Sequence, residues 1–117
     1  MGKTSSSVRA RATTEERLDA VFHALSDRTR RALLAQLTRR PAMITELARP
    51  FAMSLPAVSR HIRVLERAGL VRRTVDGRVH QCALDALPLR RAEDWLSFYR
   101  RFWDENLDSL ARYVEKH

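Results

Sequence analysis

The clearest hydrophobic pattern in the chain lies near its middle, where apolar side chains recur at helical spacing. Val58, Ile62 and Leu65 follow an i, i+4, i+7 pattern, which predicts an amphipathic helix with one face in a core. Ser54 is a favourable N-cap before this pattern, and Gly69 is a favourable stop after it. The segment therefore predicts a helix with both ends marked.

The opposite face of this helix is suited to the groove of a nucleic acid. The first turn of this face has compact side chains, which allow the helix to approach a nucleic acid closely, and two guanidinium groups follow along the helix. Arginine pairs with guanine O6 and N7 on the floor of a major groove. An ordinary solvated arginine face is the alternative. The residues of this face are Leu55, Pro56, Ser59, Arg60 and Arg63.

Three shorter helices are predicted before this segment, over about residues 15–25, 28–38 and 44–51. Pro41 ends the second helix, and the Ala42-Met43 dipeptide is a poor cap for the third. The third helix, a short turn and the following helix with its basic outer face predict a helix-turn-helix.

After Gly69 the period of the pattern falls to two. Residues 70–75 and 78–84 predict two short strands, and the Asp76-Gly77 dipeptide between them is typical of a β-hairpin turn. Three arginines crowd this hairpin, which favours a wing that lies along phosphates or in a minor groove. They are Arg72, Arg73 and Arg78.

The last segment, residues 87–115, predicts one long helix with Asp85 as its cap. Its apolar rows follow helical spacing on two sides, so one small domain cannot cover them. We expect the second side to meet another copy of the chain, with Leu18 and Phe22 of the first helix contributing. A single intramolecular core is the alternative. The candidate interface residues of the last helix are Trp95, Phe98, Tyr99, Phe102, Trp103, Leu107 and Leu110.

The composition indicates a polyanionic partner. Lysine and arginine number 22 against 14 acidic residues, and the net charge of +8 favours nucleic acid over a membrane. With no membrane-length apolar run and no signal-peptide segment, we expect a cytoplasmic protein. A single cysteine excludes an internal disulfide and fits a reducing compartment. Residues 1–14 predict a disordered basic arm before one domain, residues 15–117.

We expect no metal, no other cofactor and no catalytic site. His80 and Cys82 share a strand face, but two ligands are too few for a four-coordinate metal. Cys82 has no resolving partner, so we expect it to be buried as a small hydrophobe. We expect His61 to bond a phosphate or a neighbouring helix, and His23 to be structural or at a dimer interface. The chain lacks a glycine-rich phosphate loop, a nucleophile elbow and paired carboxylates, so we do not expect an enzyme.

Four segments together resemble the ArsR-type winged helix-turn-helix repressors. They are residues 24–31 (ALSDRTRR), 46–48 (ELA), 54–62 (SLPAVSRHI) and 65–71 (LERAGLV), within a resemblance that spans about residues 15–115. Arg28 departs from the proline that is common in the family, and Met43 departs from the usual capping Thr or Ser. The resemblance is to a branch with an aromatic-rich last helix and without metal-binding cysteines.

The resemblance implies a homodimeric repressor whose first and last helices form the dimer interface. It also implies that Leu55, Pro56, Ser59 and Arg60 meet DNA. Metal-sensing members carry cysteines beside the Glu46-Leu47 dipeptide, where this chain has none. The other usual metal site needs several Asp and His residues along the last helix. This chain offers Asp104 and Glu105 there, with His117 as the only histidine.

We therefore expect a mostly α fold of about five helices with a small β-hairpin wing. The expected function is that of a homodimeric transcriptional regulator, a repressor as the resemblance implies, that binds an inverted repeat in double-stranded DNA. One alternative is a protein-interaction module that docks on an acidic partner. Another is a sensor that holds an apolar small-molecule effector against Trp95, Tyr99 and Trp103. The candidate DNA-contacting residues are Ser54, Leu55, Pro56, Ser59, Arg60, His61, Arg63, Arg72, Arg73 and Arg78.

Overall fold

A computed structural model describes residues 13–116, in which six helices and three strands follow one another. The helices are α1 (Thr14–Leu25), α2 (Arg28–Leu37), α3 (Ile44–Ala48), α4 (Leu55–Arg67), α5 (Leu87–Ser97) and α6 (Arg100–Lys116). The strands are β1 (Ala42–Met43), β2 (Val71–Asp76) and β3 (Val79–Leu84). Across residues 13–116, no helix has both the length and the apolar character needed to cross a membrane.

The core lies where the first five helices meet the base of the sheet. The three strands are antiparallel in the order β1-β3-β2. The predicted apolar face of α4 is fully buried, which anchors this helix at the centre of the fold. The buried apolar residues are Val21, Ala24, Leu33, Leu34, Leu37, Ile44, Leu47, Val58, Ile62, Leu65, Leu70, Val71, Cys82 and Ala92.

The predicted ends of α4 are confirmed. The Ser54 hydroxyl accepts the backbone N–H of Ala57 at 3.3 Å, and Pro56 lies in the first turn, where no helical N–H is needed. Gly69 follows the helix with a φ of 78°, and the N–H of Leu70 bonds the carbonyl of Leu65 at 2.9 Å. This left-handed stop turns the chain directly into β2.

The structure corrects the prediction for the third helix, because α3 ends at Ala48 and not near Phe51. Pro50 follows closely and cannot supply an N–H to continue the helix. The start is better capped than expected, since the Glu46 carboxylate accepts the backbone N–H of Met43 at 3.1 Å. Strand β1, which was not predicted, pairs Ala42 with Cys82 on β3.

The predicted hairpin is confirmed, with its loop shifted by one residue. Asp76 pairs with Val79 across the hairpin, so the loop residues are Gly77 and Arg78. Gly77 has a φ of 63°, while no residue other than glycine in the described chain has a positive φ. A left-handed glycine at the first loop position is typical of a type II′ hairpin turn.

The last segment is two helices where one was predicted. Alpha-helical structure stops at Ser97, whose hydroxyl donates to the carbonyl of Asp94 at 2.7 Å. The N–H of Tyr99 then bonds the Leu96 carbonyl at 2.9 Å, which closes a tighter turn before α6. Asp85 is placed near the start as predicted, with its carboxylate accepting the N–H of Leu87 at 3.1 Å.

The predicted arm, residues 1–14, lies outside the described residues except for Thr13 and Thr14. Thr13 is the N-cap of α1, and its hydroxyl accepts the N–H of Glu16 at 3.0 Å. The first helix therefore begins at Thr14, one residue before its expected start.

A buried arginine joins α1, α2 and α4. Arg30, in the first turn of α2, is only 8 % exposed. Its Nε donates to the carbonyl of Ala24 at 2.7 Å, and its Nη2 donates to the carbonyl of His23 at 2.9 Å. Its Nη1 lies 3.3 Å from Nδ1 of His61 on α4. The guanidinium thus bonds two carbonyls in the last turn of α1, of which that of His23 also accepts the N–H and the hydroxyl of Ser26.

Asp27 completes this junction. Its carboxylate caps α2 by accepting the N–H of Arg30 at 3.0 Å, and it lies 3.8 Å from Nδ1 of His61. The backbone hydrogen bond from Arg30 is the main cause that lowers the pKa of Asp27, and the charge of His61 adds to it. The position of α4 relative to α1 and α2 is therefore fixed by polar contacts as well as by the core.

Replacing Arg30 with methionine should destabilise the fold by about 2–4 kcal/mol, because the Ala24 carbonyl loses its buried hydrogen bond from the guanidinium and the contact with His61 is lost, while the His23 carbonyl keeps its bonds from Ser26. Urea unfolding at a fixed protein concentration measures this change. Arg31→Met is the matched control, since Arg31 also donates to a carbonyl of α1, that of Leu25, but at an exposed site. The control should lose less than about 1 kcal/mol. Equal losses in the two variants would contradict the proposed importance of burial.

Candidate nucleic-acid interface

The outer face of α4 and the tip of the adjacent hairpin carry a basic surface, defined here by Ser59, Arg60 and Arg63 of α4 and Arg78 of the hairpin. Arg60 and Arg63 are exposed on the face opposite the buried stripe, and Ser59 is half-buried beside them. The spacing of the sequence explains this arrangement, because Val58, Ile62 and Leu65 hold the other face in the core.

Three cations of this surface are available to an external anion. Within residues 13–116, Arg60, Arg63 and Arg78 form no ion pair and no side-chain hydrogen bond. Arg72 is exposed on the opposite face of β2 from Arg73, with its Nε 3.7 Å from the carboxylate of Asp85. An exposed pair of this kind contributes little to stability, so its guanidinium remains open to competition from a phosphate.

Arg73 differs from the other hairpin arginines because its guanidinium is directed into the molecule. The side chain is 20 % exposed, its Nη2 forms an ion pair with Glu66 of α4, and its Nη1 lies 3.3 Å from Nδ1 of His80. The Nε atom is buried, and no hydrogen-bond partner for it lies among the described residues. Arg73 therefore joins the hairpin to α4, and the sequence pattern gave no signal for this arrangement.

A cleft separates the start of α4 from the hairpin. It has a volume of about 430 Å³ and is bounded by Leu55 and Ser59 of α4 and by Arg78 and Val79 of the hairpin. Ile44 of α3 and its neighbours form the remaining wall. The two predicted contact elements thus face the same space, as the grip of a helix and a wing on one duplex requires.

Two other predicted contact residues are engaged within the fold. The Ser54 hydroxyl caps α4, while Leu55 and Pro56 are exposed in the first turn. His61 is half-buried at the Arg30 and Asp27 junction. This agrees with the expectation of a contact to a neighbouring helix, one of the two partners considered for His61. Arg30 and Glu66, which hold α4 and the hairpin in place, were not identified from the sequence.

The predicted dimer residues are largely exposed. Phe98 is 80 % exposed and Phe102 is 69 % exposed, and every residue described on α6 up to Glu115 lies on the surface. Leu18 and Phe22 are half-buried and pack on the core. Phe22 also meets Trp95 edge-on with ring centroids 5.5 Å apart, so α1 and α5 form one apolar surface. The remaining candidates, Tyr99, Trp103, Leu107 and Leu110, are exposed as well.

Cys82 lies on β3, and its side chain is buried in the core. Burial raises the pKa of its thiol, which outweighs the opposing effect of the Arg73 charge. Its environment is therefore that of a small buried hydrophobe, as expected. In the described part of the chain, no three His, Cys, Asp or Glu side chains come together in a group able to hold a metal ion.

Known proteins are similar to this chain in sequence and in fold. Residues 25–74 match a family model described as a helix-turn-helix domain. The HTH-type transcriptional regulator Rv2034 of Mycobacterium tuberculosis is 36 % identical over 99 residues, which cover 83 % of this chain and 88 % of that protein.

Solved structures give the same result. The ArsR family transcriptional regulator RHA00566 is 42 % identical with a TM-score of 0.73, and the match covers 80 % of this chain and 97 % of that one. The ArsR-like transcriptional regulator from Rhodococcus sp. RHA1 is 29 % identical with a TM-score of 0.66, over 85 % of this chain and 93 % of that one. The chain therefore belongs to the ArsR family of winged helix-turn-helix transcriptional regulators.

Proposed function

We propose that this regulator is a homodimeric repressor that binds an inverted-repeat operator in the cytoplasm. Each subunit inserts residues 54–67 into a major groove, with the two half-sites about 34–36 Å, or a multiple of that distance, apart. The observation that carries the proposal is the pair of unpartnered guanidinium groups, Arg60 and Arg63, on a helix whose opposite face is fully buried.

The exposed residues of the basic surface divide into two roles. Arg60, near the middle of the outer face of α4, reads guanine edges, and Ser59 beside it bonds a base edge or a phosphate. Leu55 and Pro56 allow close approach of the first turn to the bases. Arg63 and Arg78 bind phosphates and fix the register of the protein on the duplex, and Arg72, on the other face of the hairpin, adds a further phosphate contact. Arg73 is left out of this set because Glu66 neutralises it.

The second copy of the chain packs on the exposed apolar residues of α5 and α6. Trp103, Leu107, Leu110 and Val114 recur at spacings of four, three and four residues along α6, the pattern of a helix that pairs with another helix. Such a run of apolar side chains is too large to remain in water on a monomer. Pairing through these helices sets the distance between the two α4 helices.

Selection of bound sequences from random duplexes tests the proposed function. At physiological salt the purified protein should enrich an inverted repeat whose half-sites are centred about one helical turn, or a multiple of it, apart. Recovery of a sequence without two-fold symmetry, or no enrichment at all, would overturn the proposal. The second result would favour a module that docks on an acidic protein.

Replacing Arg60 with alanine should cost on the order of 1–3 kcal/mol in operator affinity and relax the preference at one base position. Replacing Arg78 with alanine is the matched comparison, and it should weaken selected and scrambled duplexes alike while lowering the salt slope by about one per subunit. Titrations of both duplexes at several salt concentrations measure these effects. Equal losses on both duplexes for Arg60→Ala would remove its base-reading role.

The paired substitution Leu107→Glu with Leu110→Glu should convert the dimer to a monomer, because it places two charges in the apolar interface. Sedimentation velocity measures the state, and the operator affinity should fall with it. Ser109→Glu is the control, since Ser109 is exposed between the two leucines but off their row. A wild-type chain that sediments as a monomer, or a double variant that stays dimeric, would contradict this interface.

A further inference from the structure

The cleft between the start of α4 and the hairpin has apolar walls, although it opens within a surface that otherwise carries cations. Met43 of β1, Leu55 of α4 and Val79 of β3 line this cleft, and all three are exposed. Single exposed apolar side chains are ordinary on a protein surface. Three of them, from three elements around one cleft of about 430 Å³, indicate a site for an apolar group of a partner.

The charges of the cleft fit a partner that is anionic as a whole. Arg78 lies at its edge and forms no ion pair and no side-chain hydrogen bond within residues 13–116. Arg73 also lines the cleft, where Glu66 neutralises it, and no carboxylate is among the described lining residues. Through Ser59 the cleft is continuous with the basic surface of a DNA-binding regulator. The apolar group that enters the cleft therefore belongs to DNA.

Leu55 is placed to reach the bases of that DNA. It is the first residue of α4, directly after the N-cap Ser54, and it is 44 % exposed. Helical side chains lean toward the N-terminus of their helix, so Leu55 covers that end of α4. The N-terminal residues of a recognition helix are those that contact base edges in the major groove. An apolar side chain therefore lies where the duplex presents its bases.

We propose that Leu55 selects a thymine in each operator half-site by contact with the C5-methyl group of that base. This methyl is the apolar group that base pairs present on the floor of the major groove, and cytosine has only a hydrogen atom in its place. Contact between the methyl group and Leu55 removes apolar surface of both from water, which stabilises the complex only where the base carries the methyl group. The inference rests on the proposed function, because it requires residues 54–67 to lie in a major groove.

Ser59 cannot make this distinction between pyrimidines. It lies one turn after Leu55 on the same side of α4, and it also lines the cleft. Its hydroxyl can donate to O4 of thymine or accept from N4 of cytosine, so it bonds either base. The choice of thymine over cytosine therefore depends on the apolar side chain of Leu55.

Replacement of single thymines by deoxyuridine in the selected operator tests this contact with the full chain. Uracil lacks only the C5-methyl group of thymine, so base pairing and every hydrogen-bonding group in both grooves are kept. At one particular thymine of each half-site, the replacement should weaken binding about fourfold, which corresponds to the burial of one methyl group. Fluorescence anisotropy titrations of the two duplexes measure this ratio.

Leu55→Ala should bind the thymine and uracil duplexes equally. Because each ratio compares two duplexes with the same protein, any change in the fraction of folded protein cancels. Met53→Ala is the matched control, since Met53 is also an exposed apolar residue just before α4 but does not line the cleft. The control should keep the preference of the wild type for thymine.

5-Methylcytosine supplies the same methyl group on a different base. With cytosine at the position identified by the uracil replacements, addition of the C5-methyl group should strengthen wild-type binding about fourfold. The same addition should leave the affinity of Leu55→Ala unchanged.

The proposed contact is overturned if no uracil replacement weakens binding, if methylation of cytosine has no effect, if Leu55→Ala keeps the preference for thymine, or if Met53→Ala loses it. In each of these cases the selected operator, and with it the proposed function, stands. If no operator can be selected, the proposed function fails and the contact fails with it.

Discussion

The buried guanidinium of Arg30 is the contact on which the geometry of this regulator depends. One side chain bonds two carbonyls at the end of α1 and meets His61 on α4, while its own backbone N–H is capped by Asp27. The carbonyl oxygens around this buried guanidinium offset the cost of removing its charge from water. The packed apolar face of α4 and the contact between Arg30 and His61 together hold this helix against α1 and α2.

The arginines discussed here fall into two groups, those with a partner inside the molecule and those without one. Arg30 and Arg73 are engaged inside the molecule, where one holds α4 to α1 and the other holds the hairpin to α4 through Glu66. Arg60, Arg63 and Arg78 have no partner among the described residues and remain available to an anion. The helix and the hairpin are thus oriented by one set of cations so that another set can act together. Composition counts both sets in the same net charge of +8 and cannot separate them.

Much of this arrangement could be predicted from the sequence, because local signals and the global fold agree at α4 and at the hairpin. The row of Val58, Ile62 and Leu65 identified the buried face of α4. Membership in a family of DNA-binding regulators confirms the prediction that the protein is not an enzyme. Strand β1 was not predicted because its two residues are too few to show an alternating hydrophobic pattern. The break near Phe98 was missed because apolar spacing continues through it, and the inward turn of Arg73 depends on Glu66, a contact between two elements.

The order of the strands has a further consequence for β2. Strand β3 lies between β1 and β2, so β2 is an edge of the sheet as described, and its outer backbone groups can template a strand from another molecule. The cations of the hairpin oppose this: Arg72 stands exposed on β2 and Arg78 lies at its end, so approaching chains of the same protein meet like charge. The residues that suit the hairpin to a phosphate backbone therefore also protect the regulator from edge-to-edge aggregation.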